Sequence, residues 1–148
     1  MDSLDREIIK NLQDDARVSL RELGRRLDVP HTTVFTRVKK LVKNGVIKKF
    51  SAVLHPHDLG FKLNFMVIDV PETDADNLAA SISACEEVMK VFKTSDNKVI
   101  VKAIVDDSNP SCLEGVMSKI GDYSFTVHAV DDVVKFDHNI HDNFIDNL

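Results

Sequence analysis

Residues 19–41 read SLRELGRRLDVPHTTVFTRVKKL. Two short amphipathic helices are predicted here, with a break beside Pro30, because proline interrupts a helix interior but is accepted in a first turn. Ser19 and Glu22 form an S-x-x-E capping box, which predicts the start of the first of these helices. The second helix carries hydroxyls, an arginine and lysines on the face that its apolar residues leave free. This is the pattern of a helix-turn-helix whose second helix lies in a DNA groove.

A further helix precedes this pair, and all three helices have an apolar stripe at helical spacing. Asp2 or Ser3 is predicted to cap the first helix. Gly24 costs the second helix about 1 kcal/mol relative to alanine, so we expect it where another backbone comes close. The predicted buried side chains are, helix by helix, Leu4, Ile8, Ile9 and Leu12, then Leu20, Leu23 and Leu27, then Val34, Val38 and Leu41, flanked by Phe35 and Val42.

A basic strand is predicted after the third helix. Asn44 and Gly45 end that helix, since both residues tolerate the left-handed conformation of a C-cap. Residues 45–54, GVIKKFSAVL, then predict a strand or one arm of a hairpin. Residues 1–54 are therefore predicted to form a winged helix-turn-helix domain.

A second domain, residues 61–137, is predicted after a linker at residues 55–60, HPHDLG, whose proline and glycine interrupt regular secondary structure. It begins with the strand FKLNFMVIDV and a helix in DADNLAASISACEEV. The strands VMKVFKTS and KVIVKAIV follow, joined by a short hairpin at Asp96 and Asn97. A helix in NPSCLEGVMSKIG and a long last strand, YSFTVHAVDDVVKF, complete the order βαββαβ.

This order predicts an α+β protein whose second domain is a ferredoxin-like sheet with two helices on one face. The first strand places Phe61, Leu63, Phe65, Val67 and Asp69 on one face. The sheet face without helices is expected to carry apolar side chains and to pair with a second copy of the chain, which makes a homodimer. Residues 138–148 are predicted to be a C-terminal tail.

Composition excludes several classes of protein. A chain of 148 residues with 43% hydrophobic content can bury a core and is not disordered by composition. No run approaches the ~18 consecutive apolar residues of a membrane span, and MDSLDREI does not resemble a signal peptide, so a cytoplasmic protein is expected. Cys85 and Cys112 are predicted to be buried free thiols. Neither a zinc-binding spacing nor a glycine-rich phosphate motif occurs, and no cofactor is predicted.

Charge is divided unevenly along the chain. Residues 1–60 contain 12 Lys and Arg against 8 Asp and Glu, whereas residues 61–148 contain 7 against 16. The net charge of −5 thus combines a basic first part with an acidic remainder. This asymmetry is expected when one domain alone contacts phosphate.

The candidate DNA contacts lie on the second and third helices and the predicted wing. Thr side chains suit base edges, phosphates or the thymine methyl, and Arg37 could bind guanine, grip a phosphate or form an internal ion pair. Arg26 and its neighbours on the second helix would grip phosphate without reading sequence. The predicted DNA-binding residues are Arg21, Arg25, His31, Thr32, Thr33, Thr36, Arg37, Lys40, Lys48 and Lys49.

The whole pattern resembles the Lrp/AsnC (feast/famine) family of prokaryotic transcription regulators, over residues 2 to about 137. The most specific segments are LDREIIKNLQDDARVSLREL at 4–23, TRVKKLVKNGVIKKFSAVLHP at 36–56 and DLGF at 58–61. The resemblance implies dimers that assemble further to tetramers or octamers, DNA bound through the third helix, and a C-terminal domain that often senses amino acids.

Two positions depart from the family pattern. Pro30 stands where the family usually has a serine cap, so the first amides of the third helix need Thr32, Thr33 or a DNA phosphate as partner. Amino-acid-binding members typically carry a Gly-Asp-x-Asp loop between the central strands. The corresponding residues, and the candidate effector site, are Ser95, Asp96, Asn97 and Lys98. The usual amino-acid effector is therefore expected to bind weakly or not at all.

Histidines offer one alternative site. His138 and His141 would share a helix face at i, i+3 and could hold a divalent ion with an acidic neighbour, although a tail without metal is the preferred interpretation. His128 is expected to be a packed or partner-facing residue. No nucleophile, base and orienting group converge in the pattern, so no catalytic residue is assigned.

The predicted function is that of a dimeric, sequence-specific DNA-binding regulator with double-stranded DNA as partner, and the second domain could bind a small-molecule effector. The alternative is an enzyme that resembles sirohaem decarboxylase, because some proteins with this two-domain build are subunits of that enzyme. In this chain His128 or the hydrophobic cleft of the sheet could then act on a tetrapyrrole. Such an enzyme has no need for the basic, hydroxyl-rich face of the third helix. A non-specific architectural DNA binder is a further alternative, which the acidic second domain disfavours.

Overall fold

The structure is a computed structural model that describes residues 1–109 and 111–148. The chain divides into two compact units. The helix-turn-helix unit comprises residues 1–53 and 135–148, and the sheet unit comprises residues 54–134. The separate tail predicted for residues 138–148 is therefore wrong, because this segment packs within the helix-turn-helix unit. No described helix is long and apolar enough to cross a membrane.

Three helices form the first unit: α1 (Ser3–Asp14), α2 (Leu20–Arg26) and α3 (His31–Lys43). Their buried stripes meet in a small core of Ile8, Leu23, Val34 and Leu41. The periodicity of the sequence placed these four side chains correctly. The predicted flanking positions of α3 differ, since Phe35 and Val42 are exposed by 55% and 42%.

Capping residues set the starts of α1 and α2. Asp2 caps α1 in a reciprocal box with Asp5, each carboxylate accepting from the backbone amide of the other. Ser19 accepts from the amide of Glu22 at 3.1 Å, so half of the predicted second box forms. The Glu22 carboxylate turns instead to two arginines of α2.

The turn between α2 and α3 packs its backbone directly against Gly24. The Gly24 carbonyl accepts from the amide of Val29 at 2.9 Å, and Asp28 adopts a φ of 52°. A Cβ on Gly24 would lie 2.7 Å from the Val29 oxygen and 3.2 Å from the His31 nitrogen. The close backbone approach expected at Gly24 is thus confirmed, and it determines how α3 leaves the turn.

Residues 46–54 form no strand, contrary to the prediction. The amides of Val46 and Ile47 both donate to the carbonyl of Leu41, closing the end of α3 with Gly45 at a φ of 72°. A strand needs a neighbouring strand to pair with, and the described residues of this unit contain none.

The C-terminal segment ends in a short helix, α6 (Asp142–Asp146), which packs against α1. Ile145 of α6 is 2% exposed. The side chain of Gln13 accepts from the amide of Ile140 at 2.8 Å and donates to its carbonyl at 3.0 Å. Lys10 forms an ion pair with Asp146 at 2.5 Å. These contacts fasten the segment to α1.

The sheet unit has the predicted ferredoxin-like topology. After a 3-10 helix (Pro56–Leu59), it contains β1 (Lys62–Asp69), α4 (Glu72–Ser83), β2 (Val88–Lys93), β3 (Lys98–Val105), α5 (Glu114–Ile120) and β4 (Phe125–Val130). The strands are antiparallel in the order β2-β3-β1-β4. The hairpin between β2 and β3 is confirmed, with Asn97 at a φ of 60°.

One face of the sheet packs on α4 and α5. Met66 and Ile68 of β1 and Val101 of β3 are fully buried there with Leu78, Ile82, Val116 and Ile120 of the helices. Phe65 and Val67 alternate with these residues, so they share one face as predicted, and the structure places that face on the side of the sheet without helices.

Several predicted elements are longer than the observed ones. The last strand ends at Val130, because its partner Leu63 stands next to the first residue of β1 and no strand of the described residues lies opposite beyond it. The helix predicted over residues 74–88 ends at Ser83, and the one predicted from residue 109 begins at Glu114. Pro110, within that second prediction, lies outside the described residues.

Candidate nucleic-acid interface

The outward face of α3 is formed by polar and basic side chains. Val34 and Leu41 point to the core, and each residue of a helix is rotated by about 100° from the one before it, so the opposite side of α3 is open to solvent. Three of its exposed residues, Thr32, Thr36 and Lys40, belong to the predicted DNA-binding set. The complete outward face consists of Thr32, Phe35, Thr36, Lys39, Lys40 and Lys43.

Three of these residues were missed in the sequence analysis. Phe35 was assigned to the flank of the buried stripe, yet more than half of its surface is exposed. Lys39 and Lys43 are exposed on the same side. The sequence spacing indicates this shared side, because Phe35, Lys39 and Lys43 follow one another at i, i+4 and i+8.

Arg37 is directed toward α1. Its guanidinium pairs with the carboxylates of Asp2 and Asp5, the second at 3.3 Å. Asp5 is 4% exposed, so its charge requires this partner. The Asp5 backbone amide first, and the Arg37 guanidinium in addition, lower the pKa of Asp2. Of the three roles open to Arg37, the structure contains the internal ion pair.

The N-terminus of α3 has no side-chain cap. Pro30 occupies the cap position, where its carbonyl accepts from the amides of Thr33 and Val34 at 2.9 and 3.2 Å. The Thr36 hydroxyl donates to the carbonyl of Thr32 rather than to the helix start. His31 and Thr32 are exposed beside this end, and Thr33 is half-buried. An uncapped helix N-terminus attracts anions such as phosphate.

The basic residues of α2 are partly neutralised. Arg25 grips Glu22 with two hydrogen bonds of 2.9 and 2.8 Å, and Arg26 adds a third of 3.0 Å. Hydrogen bonds from Arg25 and then Arg26 lower the pKa of Glu22 to about 2. Arg21 is exposed and has no ion pair among the described residues. Lys48 and Lys49, in the segment after α3, are exposed as well.

The candidate effector loop is engaged in its own contacts. Lys98 pairs with Asp69 at 2.5 Å. A hydrogen bond with Thr94 is the main cause of the lowered pKa of Asp96. The carbonyl of Asn97 accepts from the amide of Val70 at 3.1 Å. Ser95 is exposed in the same turn.

The histidines and cysteines do not assemble a metal site among the described residues. His138 precedes α6, so it shares no helix face with His141, which caps α6 instead. That part of the alternative interpretation is wrong, because the helix begins after both residues. Cys85 and Cys112 are free thiols that are half-buried rather than fully buried.

Comparison with known proteins agrees with this geometry. Residues 1–48 match the family model for winged helix-turn-helix DNA-binding domains. The HTH-type transcriptional regulator FL11 of Pyrococcus abyssi is 35% identical over 123 residues, which cover 82% of this chain and 80% of FL11.

Solved structures share the fold over nearly the whole chain. AsnC of E. coli superposes with a TM-score of 0.77 at 21% identity, covering 94% of this chain and 97% of AsnC. A Neisseria meningitidis transcriptional regulator in complex with L-Met superposes with a TM-score of 0.80 at 22% identity, covering 98% and 99%. With its winged helix-turn-helix match, its FL11 relative and this architecture, the chain belongs to the Lrp/AsnC family of DNA-binding transcriptional regulators.

Proposed function

We propose that the chain acts as a two-fold symmetric dimer that reads an inverted-repeat operator through the outward face of α3. The observation that carries this proposal is the composition of that face. It joins hydroxyls, an exposed aromatic ring and three lysines to an uncapped helix N-terminus. A helix of this kind suits the major groove.

The residues of this face divide into two roles. Thr32, Phe35 and Thr36 present methyl, ring and hydroxyl groups of the kind that contact base edges, including the thymine methyl. Lys39, Lys40 and Lys43 suit phosphate oxygens, which position the helix without reading sequence. Arg37 is a positioning residue in this proposal, since its charge is used to hold α3 against α1.

Phosphate contacts from neighbouring segments would steady α3. Arg21, Lys48 and Lys49 are exposed cations without an ion pair among the described residues. Arg25 is committed to Glu22, so its contribution is expected to be smaller. His31 and Thr33 flank the start of α3.

Dimerisation is proposed through the open face of the sheet. Phe65 lies beside Lys102 of β3 and His128 of β4, and Phe92 of β2 on the same face is 46% exposed. An uncovered apolar face of this kind is typical of a subunit interface. A two-fold axis there would present two α3 helices to half-sites about 34 Å apart, or a multiple of that spacing. Further assembly to tetramers or octamers follows the family resemblance.

The test is fluorescence anisotropy on a mixed-sequence duplex and on the DNA upstream of the gene, titrated with salt. We expect log affinity to fall with a slope of about −0.9 per neutralised phosphate, together with a clear preference for the upstream DNA. A steep slope without preference would indicate an architectural binder. Absence of binding at low salt would contradict the proposal, and a tetrapyrrole absorption band in the purified protein would then favour the enzyme alternative.

A further inference from the structure

The helix-turn-helix unit carries a concave surface that the proposed DNA contacts only border. We name it the tail groove, because residues of the C-terminal segment form one of its walls. The remaining walls are formed by residues 46–51 and by residues in and around α1, and all of these residues belong to the same unit. Those in and around α1 are Met1, Ile9, Leu12, Gln13 and Ala16. The cavity volume is about 450 Å³, within the range of small-molecule sites.

The groove collects large apolar side chains that remain open to solvent. Val46, Phe50 and Ile140 line it and are exposed by 53%, 51% and 60%. Isolated exposed apolar residues are common on protein surfaces, but several around one concavity indicate a binding site. The walls therefore suit an apolar molecule or an apolar part of one.

Two cations lie on the same groove. Lys48 and Lys49 both line it, and neither has an ion pair among the described residues. No acidic side chain contributes to the lining. An apolar cavity whose charged side chains, among the described residues, are two lysines is complementary to a molecule that has an apolar body and one negative group.

We propose that the tail groove binds an amphiphilic monoanion, a carboxylate with an extended apolar body, and that this ligand competes with DNA. The apolar body lies against Ile9, Leu12 and Phe50, and the carboxylate accepts hydrogen bonds from Lys48 or Lys49. The competition follows because the same two lysines are proposed phosphate contacts. That second statement rests on the proposed function, whereas the binding site itself does not.

Binding is tested without DNA by titrating the full chain calorimetrically with decanoate. We expect saturable binding of one decanoate per chain. Decanol, which has the same body without the charge, should bind at least about tenfold more weakly, since charge-assisted hydrogen bonds are the stronger ones. Acetate should not bind measurably. Equal affinity for decanol and decanoate would contradict the role of the lysines.

Variants locate the site. Ala16 lines the groove and is exposed, so Ala16→Trp should fill the cavity and abolish decanoate binding without disturbing the core. If this variant does not fold, Phe50→Glu serves the same purpose by placing a negative charge at an exposed position. The double change Lys48→Gln and Lys49→Gln should weaken decanoate binding and leave decanol binding unchanged. Lys43→Gln is the matched control, because Lys43 is an exposed lysine outside the groove.

The coupling is tested by anisotropy on the upstream duplex. Decanoate should weaken DNA binding by the wild-type chain and have no effect on Ala16→Trp. Binding of decanoate without an effect on DNA would overturn the competition alone. Absence of decanoate binding, together with a change of oligomeric state in Ala16→Trp, would overturn the site and assign the groove to a second copy of the chain. Failure of the chain to bind DNA would contradict the proposed function. The calorimetric titration would still show whether the tail groove binds decanoate.

Discussion

The helix-turn-helix unit centres on four buried apolar side chains, Ile8, Leu23, Val34 and Leu41, whereas ten described residues form the core of the sheet unit. The smaller unit compensates with polar contacts between segments distant in sequence. Arg37 joins α3 to α1, and Gln13 and Lys10 join α1 to the C-terminal segment. The sheet unit relies on continuous strand pairing and on α4 and α5 over one face. Core substitutions should therefore affect the sheet unit most, and charge substitutions the helix-turn-helix unit.

The largest expected effect is that of Ile68→Ala. Ile68 is fully buried under the sheet helices, and truncation of such a side chain costs about 2–5 kcal/mol of unfolding free energy. Hydrogen exchange read by mass spectrometry should show lost protection in β1, β3 and β4, with α1 to α3 unchanged. Equal loss in both units would show that they unfold together. Val67→Ala on the open face is the control.

The open sheet face is tested by Phe65→Asp. The substitution places a charge on the face proposed to join two subunits, so the dimer should dissociate at concentrations where the wild type remains associated. Sedimentation velocity measures this, and circular dichroism should show an unchanged fold because Phe65 is not part of the helix-covered core. A folded variant that remains dimeric would place the interface elsewhere.

The turn before α3 is tested by Gly24→Ala. The new Cβ would stand 2.7 Å from the Val29 carbonyl oxygen, and overpacking of backbone costs about 1–3 kcal/mol, more than the helix propensity gained. Thermal unfolding should begin at lower temperature, and DNA affinity should fall because α3 leaves the turn at a changed angle. Gly115→Ala is the matched control, since nothing lies within 4 Å of its new Cβ. Equal stability of the two variants would contradict the close approach.

Comparing Arg37→Ala with Lys40→Ala tests whether Arg37 stabilises the helix-turn-helix unit or contacts DNA. Arg37→Ala should lower both the stability of the helix-turn-helix unit and DNA affinity, because Asp5 loses its partner inside the unit. Lys40→Ala should lower DNA affinity alone and reduce the salt slope by about 1. If Arg37→Ala lowers DNA affinity but leaves thermal stability unchanged, the guanidinium contacts DNA directly.

The smallest effect concerns acid stability. The pKa of Asp2 is lowered in the folded chain from an ordinary 3.8, mainly by the Asp5 amide. Its stabilising contribution is therefore present above pH 3.8 and is lost as the pH falls through the lowered value. Asp2→Asn keeps an N-cap acceptor but does not titrate, so its unfolding midpoint should vary less as the pH falls below 3.8. An identical pH profile in both proteins would exclude this contribution.

Much of the chain was predictable because its information is local. Apolar spacing located α1 to α3 and the order of the second domain, and capping residues placed the starts of α1 and α2. The departures occurred where an element depends on a distant partner. Residues 46–54 have strand-forming composition but no neighbouring strand, and β4 ends where β1 no longer lies opposite.

The candidate interface divides in the same way. Thr32, Thr36 and Lys40 were identifiable by their phase relative to Val34 and Leu41, which is a property of a single helix. The commitment of Arg37 to Asp5, 32 residues earlier, was decided by the packing of α3 on α1.

The amino-acid sequence by itself determined the three helices of the first domain, the βαββαβ order of the second, and the contrast between a basic first domain and an acidic second one. Periodicity, capping and local charge act over a few residues, so they can be recognised in the sequence. The tertiary structure alone decided that the C-terminal segment joins the helix-turn-helix unit, with Ile145 buried and Gln13 bonded to Ile140. Those contacts span 127 residues, and only the folded chain brings the two segments together.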